Sequence, residues 1–395
     1  MLSPQSTEIV RATLPAVGGA IGEITPLFYN KMFTAHPELL RDLFNRGNQA
    51  EGTQPKALAG SIAAFATALV EHPDTRPDAM LARIAHKHAS LGIAPDQYPV
   101  VHEHLFAAIA EVLGEAVTPE VAAAWDEVYW LMANALIALE DRLYEQAGTP
   151  DREVFRPCRV VGRLRETDEV ATFLVQPLDE RPLPAPRPGQ YVSVRVQLPD
   201  GARQIRQYSL SGRPDQALQF SVKRTAGVVP GEVSNHLHDH VGVGDVLDVS
   251  VPFGDVVLDE GDSPVLLASA GIGCTPMISM LAHLAATGSR RRVVCVHADR
   301  SESTHAFRED LAQLAAKLPD AATHVFYERP EGDWPAERTG FADFSGLGIP
   351  EGATAYLCGP LPFLRASRAQ LLAAGVAASA IHYEVFGPDL WLGQD

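Results

Sequence analysis

The spacing of apolar residues changes twice along this chain, so no single architecture can account for all of it. Up to about residue 148, apolar residues recur at three and four: Val17, Ile21, Ile24, Phe28; Leu58, Ile62, Phe65, Leu69; Val121, Trp125, Val128, Met132. That is the stripe an α-helix buries. Breaks fall at His36-Pro37, His72-Pro73, Pro95 and Thr118-Pro119. The last is a helix start, a capping hydroxyl followed by proline at the first helical position. From residue 152 the period is two. FRPCRVVGRLRE, TFLVQPL, QYVSVRVQL, RQYSLSG, ALQFSVKR and DVLDVSVPFG are short β-rich runs separated by Gly, Pro and Asp, as in an antiparallel barrel or sandwich. From about 262, PVLLASA, RRVVCVHA, ATHVFYE, TAYLCGP and AIHYEVFG mostly alternate with helical stretches such as PMISMLAHLAAT and FREDLAQLAAKL. Apolar strands alternating with helices argue for a parallel, doubly wound sheet. The expected domains are therefore all-α over 1–148, antiparallel β over 152–258 and α/β over 262–395, a division 395 residues are long enough to support.

Charge and cysteine usage narrow the function classes. A formal net charge of −17 lacks the basic face that nucleic-acid binding needs. No apolar window is long enough to span a bilayer, and MLSPQSTEIVRATLP has neither the basic nor the apolar part of a signal peptide. Cys158, Cys274, Cys295 and Cys358 are scattered, which fits free thiols in a reducing compartment. The expectation is a cytoplasmic monomer with no nucleic-acid partner and no membrane span.

In the third region, the strand PVLLASA runs into Gly271-Ile272-Gly273-Cys274-Thr275-Pro276 and then a helix. The glycines allow a tight turn and a close approach to a pyrophosphate at a helix N-terminus. Taken alone, the motif fits an ordinary strand-to-helix turn as well. Two more strand ends, Cys358-Gly359-Pro360 and Glu384-Val385-Phe386-Gly387, fall at the carboxyl edge of the same sheet and favour a dinucleotide site. Arg300 and Ser301 follow another strand, placed either to grip a 2′-phosphate or to face solvent.

In the second region, Arg206, Gln207, Tyr208 and Ser209 close a β-run. They offer a cation and a hydroxyl for a phosphate and a ring for a flat cofactor, although four such residues also suit a plain surface strand. GEVSNHLH opens a helix through Ser234. In order, RQYSL, GEVSN, SAGIGCTPM, LCGP and YEVFGP resemble the ferredoxin-NADP reductase family over residues 152–395. The resemblance implies a β-barrel that binds FAD and an α/β domain that binds NADH or NADPH. Arg206, Gln207, Tyr208 and Ser209 would hold the flavin, with Tyr191 nearby, and Val233 and Ser234 would lie at its phosphates. Gly271, Ile272, Gly273, Cys274, Thr275, Pro276, Cys358, Gly359 and Pro360 would face the nicotinamide nucleotide. Val385, Phe386, Gly387 and Pro388 would cover the flavin ring. Val385 stands where relatives often carry cysteine, and Cys274 where glutamine is common.

RIAHKHASLGI in the first region places His86 and His88 on different faces of one helix. His88 shares a stripe with Leu81, Ile84 and Leu91, while His86 groups with Arg83 and Ser90 on a face read as solvated. A histidine on an apolar stripe is either a hydrogen-bonded core residue or a metal ligand. Glu140 also lies on an apolar stripe. It either reaches Arg142 or water at a helix edge or is a buried carboxylate in need of a donor, which a ligand histidine supplies through its second nitrogen. Tyr98 is placed to complete that network. A lone histidine in an all-helical fold points to haem rather than zinc. LFYNKMF, LFNRGNQ, IAHKHAS and WLMANALIALEDRLY resemble a globin over residues 1 to about 145, and the flavohaemoglobins specifically.

With the reductase motifs, the whole chain resembles the flavohaemoglobins, which are nitric oxide dioxygenases. That implies haem b, FAD and NAD(P)H as cofactors and O₂ and nitric oxide as substrates. Tyr29 would hydrogen-bond oxygen at the iron, Phe44 would wedge the haem, and Gln54 and Leu58 would line the distal pocket. His88 would be the axial ligand, Tyr98 and Glu140 its charge-relay partners, and Lys87 and Glu384 would tune the redox poise. Pro55 leaves the swing of Gln54 open. Two other readings remain: a haem-based oxygen or NO sensor or carrier with a maintenance reductase, and an NAD(P)H:acceptor reductase for ferric iron or quinones.

Overall fold

The computed structural model describes residues 2–179, 181–212, 217–226 and 230–389; the tail of the expected third domain, 390–395, lies outside that range. Contacts divide the chain into two compact units, 1–155 with 195–206 and 387–395, and 156–194 with 207–386.

The first unit is helical: α1 (Pro4–Ala35), α2 (Pro37–Asp42), α3 (Arg46–Ala50), α4 (Thr53–Glu71), α5 (Asp78–Leu91), α6 (Gln97–Leu113) and α7 (Pro119–Gln146). The stops follow the sequence signals. His36 and His72 cap the ends of α1 and α4, and the Thr118 hydroxyl accepts from the Val121 amide at the start of α7. The apolar stripes of α1, α4, α5, α6 and α7 meet in a core holding Val17, Phe65, Leu69, Leu81, Trp125, Val128 and Leu136. The segment 195–206 belongs to this unit. Gln204, fully buried, donates its amide to the carbonyls of Leu40, Arg41 and Phe44.

The β-rich stretch forms β1 (Phe155–Arg165), β2 (Val170–Pro177), β3 (Tyr191–Gln197), β4 (Arg203–Ser209), β5 (Leu218–Lys223) and, after the helix α8 (Glu232–His240), β6 (Val246–Ser250). Their order in the sheet is β4-β3-β6-β1-β2-β5, antiparallel at β1–β2 and β2–β5. An antiparallel bridge between Leu210, just past β4, and Phe220 of β5 joins the two edges, which decides for a barrel over a sandwich.

The remaining elements are β7 (Val265–Ala270), α9 (Cys274–Ala286), β8 (Val293–Asp299), α10 (Arg308–Ala315), β9 (Ala321–Tyr327), β10 (Thr354–Cys358), α11 (Leu361–Ala373) and β11 (Ile381–Glu384). The sheet runs β11-β10-β7-β8-β9 with every pair parallel. Strand order reverses between β7 and β10, which opens a crevice at their carboxyl ends. Among the described residues no helix is long and apolar enough to cross a membrane.

Candidate functional site

Three helices converge behind His88. It sits in the last turn of α5, Tyr98 in the first turn of α6, and Glu140 inside α7. His88 Nδ1 lies 2.8 Å from Glu140 Oε1 and 3.1 Å from the Tyr98 hydroxyl. Tyr98 donates to the same Glu140 oxygen at 2.6 Å. The carboxylate can only accept, so Nδ1 carries the proton and the Nε2 lone pair is the one left to ligate. Burial, together with the adjacent Glu140 charge, pushes the Tyr98 phenol well above its usual range and keeps it a donor. Glu140 is 2% exposed, and these two donors offset a desolvation cost that would otherwise be prohibitive. The His88 side chain is 32% exposed, against 2% for its partner Glu140. Among the described residues no three His, Cys, Asp or Glu side chains gather as a metal-binding group. A single imidazole with a fixed tautomer suits haem iron, which brings its own equatorial ligands.

The solvated face expected for α5 is not observed. Ser90 is fully buried and donates its hydroxyl to the Lys87 carbonyl, and His86 is half-buried. Ala85 and Ala89 are also fully buried, so α5 packs on more than one side.

Tyr29 on α1 is 5% exposed, and burial pushes its phenol well above the usual range, against the pull of the Gln54 and Gln49 amides that face its hydroxyl. The Phe44 ring stands edge-on to Tyr29 at 5.9 Å and to Phe33 at 5.2 Å. Leu58, half-buried, packs in the same cluster. Pro55 is the third residue of α4, where its missing N–H would be unpaired anyway, so Gln54 keeps helical geometry. The sequence pattern gives no sign of Gln49. It lies on the five-residue α3, too short for periodicity to flag it.

At the flavin position, Tyr208 stacks on Phe220 at 5.6 Å and Phe220 on Phe173 at 5.6 Å. Tyr191 and Ser209 are buried, and Gln207 donates to the Ser193 hydroxyl at 2.9 Å. The Arg206 guanidinium donates to Gln204 Oε1 and to the Ile205 carbonyl. Val233 is buried, and the Ser234 hydroxyl accepts from the Thr225 amide and donates to the Gly231 carbonyl. That ties down the start of α8, whose amides fit a phosphate.

At the nucleotide position, Gly271 has φ +54 with open space where a Cβ would stand. A Cβ on Gly273 would run into the Cys358 carbonyl, and one on Gly359 would come within 2.9 Å of Phe363. Ser269 pairs with Cys358 across β7–β10, so the two glycine turns flank the point where strand order reverses. This is the cradle a dinucleotide needs. Thr275 donates to the Ile272 carbonyl, and Pro276 is buried in the first turn of α9. The Cys274 and Cys358 side chains are buried in the core, where burial raises both thiols, so only their backbone is left to face a ligand. At the end of β11 the buried Glu384 carboxylate accepts from the Val385 amide at 3.1 Å. Val385 is half-buried, Phe386 is 47% exposed, and Gly387 has φ +117 ahead of Pro388.

Residues 27–136 match the globin family model and residues 267–369 the oxidoreductase NAD-binding domain model. A flavohemoprotein of Bordetella pertussis is 45% identical over 98% of this chain and 99% of its own length. The crystal structure of a flavohemoglobin from Malassezia yamatoensis, with bound FAD and heme, superposes with a TM-score of 0.90 at 38% identity. It covers 98% of this chain and 100% of that one. The FAD/NAD-binding domain of a nitric oxide dioxygenase from Vibrio cholerae matches at 36% identity and a TM-score of 0.55, over 60% of this chain and 100% of that one. At this identity and coverage, the chain belongs to the flavohemoprotein family.

Proposed function

We propose that this chain is an NAD(P)H-dependent nitric oxide dioxygenase that converts NO and O₂ to nitrate and so removes NO. The observation that carries the reading is the buried Tyr98–Glu140–His88 network. When bound, FAD takes a hydride from NAD(P)H and passes single electrons to haem, where O₂ and NO combine. His88 holds the iron through Nε2. Glu140 draws on the Nδ1 proton and makes the imidazole a stronger electron donor, and Tyr98 fixes both. Tyr29 donates a hydrogen bond into the distal pocket with Gln54 beside it, while Leu58 and Phe44 exclude water. Arg206, Gln207, Tyr208 and Ser209 seat the flavin with Tyr191, Val233 and Ser234. The residues from Gly271 to Thr275 present backbone amides to the nucleotide phosphates, and Pro276 follows them in the first turn of α9. Val385 to Pro388 cover the flavin ring, and Lys87 and Glu384 set the redox poise. The three stretches 1–148, 152–258 and 262–395 act as haem, flavin and nucleotide domains of a cytoplasmic monomer.

The test is NO consumption under air with NADH, with nitrate measured alongside. Stoichiometric nitrate is expected. NO loss without nitrate, or NADH oxidation indifferent to NO, would replace this reading with a sensor, a carrier or a general acceptor reductase.

A further inference from the structure

In a doubly wound sheet, the end of the strand beside the glycine turn lies at the 2′ position of the adenosine ribose. An acid there takes a hydroxyl, and an arginine takes a 2′-phosphate. In this chain that end is Asp299, Arg300 and Ser301, directly after the Ala270–Ala298 pair of β7 and β8.

All three side chains are already engaged. Asp299 turns inward, its side chain 5% exposed. Its Oδ1 accepts from the Arg300 amide at 2.7 Å and the Thr304 hydroxyl at 2.6 Å, and Oδ2 lies 3.4 Å from His297 Nε2. Arg300 Nη2 lies 2.6 Å from Glu169 Oε2, on the turn between β1 and β2, and Lys223 Nζ is 3.6 Å from the same oxygen. The Ser301 hydroxyl donates to Glu331 Oε1 at 2.7 Å, and the Ser303 hydroxyl donates to that oxygen as well. Glu302 adds another carboxylate, its Oε2 accepting from the Glu331 amide at 2.7 Å.

We propose that Glu169 and Glu331 are specificity-determining residues: by holding Arg300 and Ser301 they close the 2′-phosphate subsite and make NADH the preferred electron source. A 2′-phosphate must pull Arg300 from Glu169 and settle beside Glu331 and Glu302, and placing like charges together is costly. The 2′-hydroxyl of NADH is a donor, and it meets carboxylates able to accept it. Glu169 and Glu331 act as much by repulsion as by attraction. The inference rests on the reading of this domain as the NAD(P)H site.

The test uses the full-length holoenzyme, with ADP-ribose and 2′-phospho-ADP-ribose as non-reducing probes and kcat/KM for NADH and NADPH alongside. ADP-ribose is expected to bind at least about tenfold tighter than its 2′-phosphate. The double variant Glu169→Gln, Glu331→Gln should narrow the NADH/NADPH ratio about tenfold, mainly through the KM for NADPH. Adding Arg300→Ala to that variant should cancel the gain, because the released arginine is what takes the phosphate. Equal binding of the two probes to the wild-type protein, or an unchanged ratio in the double variant, would overturn the specificity proposal. Failure of both probes to bind would overturn the site reading beneath it.

Discussion

Glu140 shows how much a single residue's role depends on its neighbours. A carboxylate that is 2% exposed and accepts from both His88 and Tyr98 is a charge retained in a dry helix interface. Glu140→Gln keeps the shape and removes the charge, so the histidine loses its anionic partner. NO turnover should fall roughly 10- to 100-fold and the haem reduction potential should rise. A potential unchanged by the substitution would show that the carboxylate only positions the ring. The stripes of α5 and α7 make His88 and Glu140 legible as polar residues on apolar faces, and Tyr98 follows from its place past a proline turn. The tautomer is not legible, because it is set by distances across three helices. The burial of His86 and Ser90 escapes the sequence pattern for a related reason. Ala85 and Ala89 are small and fully buried, so neighbouring elements approach α5 closely on a side that a single stripe leaves to solvent.

Among the elements, the turn after β7 is the least forgiving. Gly273 lies against the Cys358 carbonyl, so Gly273→Ala must push β7 and β10 apart at their carboxyl ends. The expected cost is about 1–3 kcal/mol in denaturant unfolding, with a raised KM for NADH. An unchanged KM would separate this turn from the nucleotide. On β8 and its loop, His297 and His305 stack at 3.9 Å. Burial, and then the neighbouring His297, push the His305 imidazole down to about 2 from an ordinary 6.5. Between those values the unfolded chain binds a proton that the folded chain refuses, so stability must fall as pH drops below 6.5. His305→Gln should flatten that acid slope by up to about 1.4 kcal/mol per pH unit, read from urea midpoints at neutral and mildly acidic pH. Equal slopes would assign the acid sensitivity to other groups. Strand positions are readable to within a few residues because each β-run is bounded by turn chemistry. Closure of the barrel is not, because β4 and β5 follow one another in the chain yet stand at opposite ends of the sheet order, and the Leu210–Phe220 bridge that joins them depends on the curl of the whole sheet.

For the molecule as a whole, the two changes in hydrophobic period separate the helices from the antiparallel barrel and the barrel from the parallel sheet. His88→Ala in the full-length chain should therefore lose haem and its Soret band, and NO consumption with them. NADH-driven ferricyanide reduction should stay within about twofold, because no reductase residue is touched. His86→Ala should keep the Soret band. A parallel collapse of ferricyanide reduction in His88→Ala would mean that the helical part supports the fold of the reductase. The nucleotide preference is the part least legible from sequence. Arg300 and Ser301 are visible in the chain, but Glu169 lies 131 residues from Arg300 and Glu331 lies 30 residues from Ser301.

The Glu140–Tyr98 clamp on His88 also bears on how tightly haem is kept. An imidazole already gripped through Nδ1 gives up its rotational freedom when the chain folds, so little ordering is left for the moment of capture. Capture should then be fast and escape slow. Loosening the clamp with Tyr98→Phe should show first as faster leakage of haem to a scavenging apo-globin, before any change in how much haem the fresh protein carries.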